Sequence, residues 1–508
     1  MVEPTSRVST CDGDIDGVAH AGLISWRGIP YAAPPQWNMR FRAPQPVTPW
    51  TGVRSATSFR NAAPQAPRYT ITGPLSKQPT SEDCLTLNVT APADVSGPLP
   101  VMVFIHGGAY ILGSSLMYRG DALVRAGHVV YVSINYRLGP LGYLDLSRYS
   151  TSTRQYDSNL GLRDQVAALQ WVQRNIAAFG GDPDNVTIFG ESAGGNAVTT
   201  LMATPAAAGL FHRAIAQSTA PALTMSDALA QLNARTFLEV LGEKHDDPVA
   251  ALHQATPGAL GAAGERLARR LSREVPGALP FGPSVDGDFL PMDPTEAAEA
   301  GRTHRVPLII GSNRDEANLF AKAFPILKTT PEAVERVFAT TDPEVGARVV
   351  HGYPGYPGEA ACRAIMGDMI FWAPATRFAD AHSGFAPTWF YRYDFATTLL
   401  RATGFGATHG TEMLAIFDFY ATGAGALLAA GGRAGARRVT AEIQGDWTRF
   451  AATGAPAAGW EPYRVEHRAV KVFNDPSHIE VDPDRVRREA WAGYRGHNHL
   501  TFDDVSAG

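Results

Sequence analysis

The sequence predicts an α/β fold: a central, mostly parallel sheet flanked by helices, with long insertions covering it. Three observations predict it. Residues 100–105 and 129–136 are continuous apolar runs, the pattern of strands buried on both faces of a parallel sheet. Between such runs lie helical periodicities, clearest in Val166, Leu169, Val172, Ile176 and Phe179. Finally, the β-prone residues Val186, Thr187, Ile188 and Phe189 run straight into Gly190-Glu191-Ser192-Ala193-Gly194, which reads as a strand, a sharp turn and a helix. A length of 508 residues would permit several domains. No internal repeat or low-complexity linker divides the chain, so one domain over residues 1–508 is expected.

The elements follow in order. Residues 12–17, DGDIDG, have the look of a calcium loop, but loop position twelve falls on Leu23 where a bidentate Glu is needed. A hairpin turn between two edge strands is expected instead. Leu85, Leu87 and Val89 alternate and predict a half-buried strand, with Cys84 a small buried residue. The 100–105 strand empties into His106-Gly107-Gly108-Ala109. The 160–179 helix stops at Gly180, and an Ala/Thr-rich helix is expected from about Asn196. Residues 213–218 are the next strand, 222–275 a helical covering insertion, and 283–291 a turn holding the chain over the site. Residues 306–311 and 389–393 are further strands, the second being the last strong one, with helices over about 320–380 between them. Beyond about 435 one helix and proline-rich coil are expected.

Composition excludes several function classes. The net charge is −5 and no basic stripe occurs, which argues against nucleic acid. Three scattered cysteines, Cys11, Cys84 and Cys362, make no disulfide framework. The first residues carry no apolar secretion signal, and no apolar run is long enough to span a membrane, so a cytoplasmic protein is expected. The sequence carries no cysteine/histidine cluster that offers a metal site, and no cofactor is required. Oligomeric state is not legible.

Four strand ends deliver chemical groups. Gly107, Gly108 and Ala109 can aim backbone N–H groups at one point, as an oxyanion hole does. Ser192 sits at the turn of a G-x-S-x-G elbow, where flanking glycines leave room for the strained backbone. The loop after 306–311 carries Asp315 and Glu316, and the loop after 389–393 carries His409. In an open parallel sheet, active groups lie beyond the carboxyl ends of the strands. The order Ser…Asp/Glu…His is that of the α/β-hydrolase fold. Spacing does not choose between Asp315 and Glu316.

The chain resembles the type-B carboxylesterases of the carboxylesterase/cholinesterase family, and among them the bacterial, p-nitrobenzyl-esterase-like members. The similarity is carried by SEDCLTLNV, VFIHGGAY, INYRLGPLGY, VDGDFLP, GSNRDEA and THGTEM, and above all by residues 159–195. The resemblance implies a serine carboxylesterase acting on small-molecule esters through an acyl-serine intermediate. It implies Ser192 as nucleophile, His409 as base and Glu316 as acid, with Gly108, Ala109 and Ala193 forming the oxyanion hole. It also implies Ser218 as a partner of the acid, and Arg40 with Glu82 as a buried ion pair. An amidase, lactonase or acyltransferase could use the same triad, and a catalytically dead binding module could share the fold.

Other residues are read from their own context. Glu191 either tunes the histidine's charge or holds a buried hydrogen bond, and the second is favoured because most buried carboxyls are structural. His106 is expected to shape the oxyanion loop, and His212, His245, His253 and His351 to lie at the surface. Ala109 and Ala317 stand where the family commonly has glycine, changes small enough to leave the backbone donors in place. No tryptophan occurs between Trp50 and Cys84, and no second cysteine lies near Cys84, so the cholinesterase device for quaternary ammonium is missing and choline esters should be poor substrates. A histidine base with an ordinary pKa predicts activity falling below roughly pH 6.5.

Overall fold

A computed structural model describes residues 6–65, 78–242, 247–274, 278–323, 327–423 and 425–496. Its strands are β1 (Arg7–Thr10), β2 (Gly13–Asp16), β3 (Val18–His20), β4 (Leu23–Pro30), β5 (Val53–Ser55), β6 (Thr86–Pro92) and β7 (Leu99–Ile105). There follow β8 (Val130–Ile134), β9 (Gly181–Glu191), β10 (Arg213–Gln217), β11 (Leu308–Asn313), β12 (Thr388–Tyr393), β13 (Ala469–Phe473) and β14 (His478–Val481). An 11-stranded sheet takes the order β14-β13-β12-β11-β10-β9-β7-β8-β6-β4-β3, and β1, β2 and β5 form a small separate sheet. From β8 to β13 all neighbours are parallel, and the antiparallel pairs lie outside them. This is the α/β-hydrolase arrangement that the strand pattern and group order predict.

The parallel strands are apolar on both faces because both faces are covered. Val101, Val103, Ile105, Val132 and Ile188 share one core with Leu169, Trp171 and Val172 of the Leu160–Asn175 helix. Met102, Phe104, Tyr131, Phe189 and Ile215 point the other way and join Val439, Ile443, Trp447 and Phe450 of the Arg433–Thr453 helix. Alternation along each strand sends neighbours into opposite cores.

Several expectations need correction. β6 is buried on both faces, not half-buried: Leu87, Val89 and Ala91 join the core on one face, while Asn88 and Thr90 on the other are buried and bonded to Ser115 and Ser25. The first hairpin turns at Cys11 and Asp12; Gly13–Asp16 is already strand, and Asp14 and Asp16 accept hydrogen bonds from Ser9 and Ser6. The helix after the elbow starts at Ala193, three positions before Asn196. β12 is not the last strand, since β13 joins it in parallel and β14 closes that edge. Pro476 and surrounding charges made that region look like coil. The turn at 283–291 is fastened to the start of the Leu160–Asn175 helix, and none of its residues lines the cavity at Ser192: Asp286 accepts from Ser158 Oγ at 2.5 Å and Asn159 Nδ2 at 2.8 Å.

Residues 222–275 contain the helices Asp227–Gly242, Pro248–Gln254 and Pro257–Glu274. In the last of these, Leu260, Ala263, Leu267 and Leu271 are buried at helical spacing. Arg40 fastens this layer. Its guanidinium grips Glu82 at 2.5 and 2.8 Å and donates to the carbonyls of Leu252, His253 and Ala255, where a helix C-terminus favours a cation. That is the ion pair the resemblance implies, and both side chains are about nine-tenths buried. Over 320–380 lie the helices Pro331–Thr341, Pro343–His351, Glu359–Gly367 and Ala373–His382, with a π-helical turn at Asp368–Trp372. Among the described residues, no helix is long and apolar enough to cross a membrane.

Candidate active site

β9 delivers Ser192 with φ +60° and ψ −123°, a conformation sparse for any residue with a side chain. The turn is held from both sides. Ser192 N–H donates to the Gln217 carbonyl at 3.0 Å, and the Ser192 carbonyl accepts from Asn196 N–H at 2.9 Å. The turn fits only glycine on its flanks: a Cβ on Gly190 would lie 2.6 Å from the Gly194 carbonyl carbon, and one on Gly194 would run into the Ile105 carbonyl. The serine hydroxyl faces a cavity and makes no hydrogen bond among the described residues.

At the end of β7, Gly108 has φ +113°, Ala109 +51° and Tyr110 +60°. Three successive residues at positive φ curl the loop so that it faces the elbow. Gly107 is so close that a Cβ there would lie 3.0 Å from Ser192 Cβ. Among the described residues, the N–H groups of Gly108, Ala109 and Ala193 make no internal hydrogen bond. Ala193 is the first residue of its helix, where backbone N–H groups have no partner in the helix. His106 braces the loop, as expected. It is buried, its Nδ1 donates to the Gly107 carbonyl at 2.9 Å, and its ring stacks on Tyr136 at 4.5 Å. Burial lowers its pKa to about 4, so it stays neutral. Of the histidines expected at the surface, His351 is exposed, while His212 and His253 are half-buried and hydrogen-bonded to Val186 N–H and Tyr156 Oη. His245 lies outside the described residues.

β11 and β12 bring the remaining groups together. Glu316 Oε2 lies 2.6 Å from His409 Nδ1, and Glu316 Oε1 accepts from Asn313 N–H at 2.7 Å. Asp315 is turned away and accepts from Ala407 N–H at 3.0 Å. On the other side of the imidazole, Glu191 Oε1 is 3.1 Å from His409 Nε2. Among the described residues Oε1 makes no further hydrogen bond, so Glu191 stands beside the histidine's charge, the alternative the sequence did not favour. Ser218 also differs from expectation. Its Oγ bonds to Glu412 Oε1 at 3.2 Å and accepts from Asn313 Nδ2 at 3.1 Å, reaching Glu316 only through Asn313. Asn313 Nδ2 also donates to Glu412 Oε2.

Three buried carboxyls thus surround one imidazole. Burial raises the pKa of Glu191 and of Glu412, each reinforced by the neighbouring carboxylates. Burial alone would depress His409, but Glu191 and Glu316 outweigh it and raise its pKa.

The cavity at Ser192 has a volume of about 340 Å³. Leu112, Leu223, Leu279, Leu319, Met366 and Ile370 make its walls apolar. Phe371 and Phe320 pack against the His409 ring in tilted arrangements at centroid distances of 4.5 and 5.1 Å. Sequence reasoning missed both rings, because they come from the covering helices and carry no motif. It also missed the buried Arg137–Asp164 pair, with N–O distances of 2.7 and 2.8 Å. Both residues stand in the quoted stretches INYRLGPLGY and NLGLRDQV, where an Arg and an Asp in apolar surroundings were the available signal.

The chain matches the profile of the carboxylesterase family over residues 4–351 and 356–490. It belongs to the carboxylesterase family. The para-nitrobenzyl esterase of Bacillus subtilis is 38% identical over 492 residues, covering 95% of this chain and 97% of that protein. The phenmedipham hydrolase of Pseudarthrobacter oxydans is 33% identical over 494 residues, with 94% and 97% covered. A solved PNB esterase structure superposes with a TM-score of 0.87 at 36% identity, covering 96% of this chain and 99% of the other. This carboxylesterase-family chain is therefore a carboxylic ester hydrolase with the α/β-hydrolase fold.

Proposed function

We propose that the chain hydrolyses small carboxylic esters at Ser192, with His409 as base, Glu316 as the acid and the N–H groups of Gly108, Ala109 and Ala193 as the oxyanion hole. The observation that carries this reading is the 2.6 Å Glu316–His409 contact at the mouth of two strands, in the same cavity as a serine on a strained elbow. Ser192 Oγ attacks the ester carbonyl carbon while its proton passes to His409 Nε2. Glu316 holds Nδ1–H and stabilises the imidazolium. The three N–H groups receive the developing oxyanion, each worth roughly 3–4 kcal/mol if lost. His409 then returns the proton to the departing alkoxide. Water attacks the acyl-serine with His409 again as base, and the acid leaves. In the free protein Nε2 faces Glu191; substrate binding turns it toward Ser192, a tightening common in such sites.

The whole chain 1–508 works as one domain, with the helices over 222–275 and 320–380 shaping the pocket. The free thiols of Cys11, Cys84 and Cys362 support a cytoplasmic location. The test is a p-nitrophenyl ester series from acetate to decanoate on wild type and Ser192→Ala. Turnover in wild type that the variant lacks supports the reading, and the chain-length optimum sizes the acyl site. Turnover of p-nitroanilides in place of esters would favour an amidase, and equal rates in both proteins would remove Ser192 from the chemistry.

A further inference from the structure

The charged residues lining the active-site cavity are distributed by depth. Glu191 and His409 are buried at its floor, beside Ser192. Lys328 and Arg336 line the same cavity but are exposed, so they stand at its mouth. Between the two levels the walls are apolar. The mouth therefore carries positive charge and, among the described residues, no lining carboxylate.

Local structure fixes this arrangement. In the Pro331–Thr341 helix, Ala333, Arg336 and Val337 recur at the i, i+3, i+4 spacing of one helix face, and all three line the cavity. Lys328 follows the buried Leu327, which is also in the wall. Neither cation has an ion-pair partner among the described residues. The helix does carry acids, Glu332 and Glu335, but neither lines the cavity. Glu332 accepts at the helix start beside Thr330 and feels the charge of Arg336 one turn away without forming a direct ion pair, and Glu335 accepts from Tyr356 Oη at 3.4 Å. Two cations without a direct ion pair among the described residues, above an apolar shaft leading to the proposed ester-cleaving serine, form a recognition pattern in their own right.

We propose that this site selects esters bearing an anionic group, such as a carboxylate, on the end of the molecule remote from the scissile bond. The inference rests on the proposed esterase site and names its substrate class. The apolar walls take an alkyl or aryl spacer, and Lys328 and Arg336 meet the anion at the mouth. A carboxylate suits Arg336 through its planar pair of donors and Lys328 as a point charge. A quaternary ammonium in the same place meets repulsion, which gives the expected weakness toward choline esters a cause in the structure.

The experiment compares esters of equal reach and different terminal charge. p-Nitrophenyl octanoate, the mono-p-nitrophenyl ester of suberic acid and a p-nitrophenyl ester ending in trimethylammonium place the charge on the acyl side. Butyrate esters of octanol, 8-hydroxyoctanoate and an 8-hydroxyoctyl trimethylammonium place it on the alcohol side. In wild type at low salt, kcat/KM should fall from anionic to neutral to cationic in at least one series, by about fivefold per step, as expected for exposed charges. In the Lys328→Gln/Arg336→Gln double variant these ratios should approach one, and 0.5 M NaCl should shrink them in wild type. A wild-type preference for the cationic ester in both series, or an anionic preference that persists in the double variant, would overturn the proposal. Binding of the same esters to Ser192→Ala separates the two readings. The anion-first order in binding, without turnover in wild type, would uphold the mouth and refute the esterase assignment; turnover without that order would do the reverse.

Discussion

Replacing Glu191 with Gln should move the acid limb of the pH–activity profile downward. In the proposed mechanism His409 must be neutral to accept the serine proton, so activity is lost as pH falls through its pKa. Glu191 Oε1 lies 3.1 Å from Nε2 and, when ionised, favours the imidazolium. At that distance a full charge is worth about 1.3 kcal/mol in water, or about one pKa unit, and roughly fourfold more at the effective dielectric of a protein interior. The larger figure is an upper bound, because burial keeps part of the Glu191 population protonated near neutral pH. A fall of about 1–2 units is therefore expected, from a wild-type midpoint above the ordinary histidine value of about 6.5. This revises the limb that an isolated histidine would give. The assay is kcat/KM for a neutral p-nitrophenyl ester from about pH 5 to pH 9, with the fold checked by circular dichroism. A midpoint that stays put or rises would refute the coupling. A uniform loss of rate at every pH, with no shift, would mean that Glu191 only supports the elbow.

Other outcomes are expected. Gly108→Ala should lower kcat about 100-fold or more with little change in KM, since the residue sits at φ +113° and a Cβ would run into the Leu112 carbonyl, displacing a proposed oxyanion donor; single-turnover kinetics measure it. Asp164→Ala should destabilise the fold by about 3–5 kcal/mol in urea unfolding, because it strands Arg137, whose side chain is only 3% exposed. A thiol reagent should label Cys11 rapidly in the native protein and Cys84 only on unfolding, since burial raises the Cys84 thiol pKa; Cys11→Ser should abolish the fast phase. Phe371→Ala should weaken kcat by loosening the His409 ring, with kcat falling more than KM rises.

What was legible in the sequence were the features with local causes. The elbow could be read because its geometry is imposed by glycines within a few residues of Ser192. The central strands could be read because being covered on both faces forces continuous apolar runs. Glu316 could not be separated from Asp315, since adjacent side chains at a turn diverge and only the course of the loop decides which reaches His409. The partners of Ser218 and Glu191 escaped the sequence for the same reason: both act across strands, on Glu412 and His409, which lie 194 and 218 (409 − 191) residues away. Phe320, Phe371 and Arg336 gave no signal, because a helix presents a lining residue with the same periodicity as any core or surface residue, and Lys328 gave none because it stands in the coil before its helix. β13 was hidden by its short length and its setting among prolines and charges.

The seam between the elbow and the oxyanion loop has a consequence for engineering. Gly107 sits against Ser192, and Gly194 sits against the Ile105 carbonyl, so two backbones touch with no side chain between them. Nothing at this seam can be enlarged or trimmed by substitution. The pocket walls, in contrast, are built from helix side chains such as Leu319, Val337, Met366 and Ile370. A mutant library directed at those four positions should yield active proteins with altered substrate range at high frequency. One directed at residues 107, 108, 190 and 194 should yield almost only inactive ones. The molecule thus divides its tolerance for change, leaving selectivity free to drift while the bond-breaking geometry stays fixed.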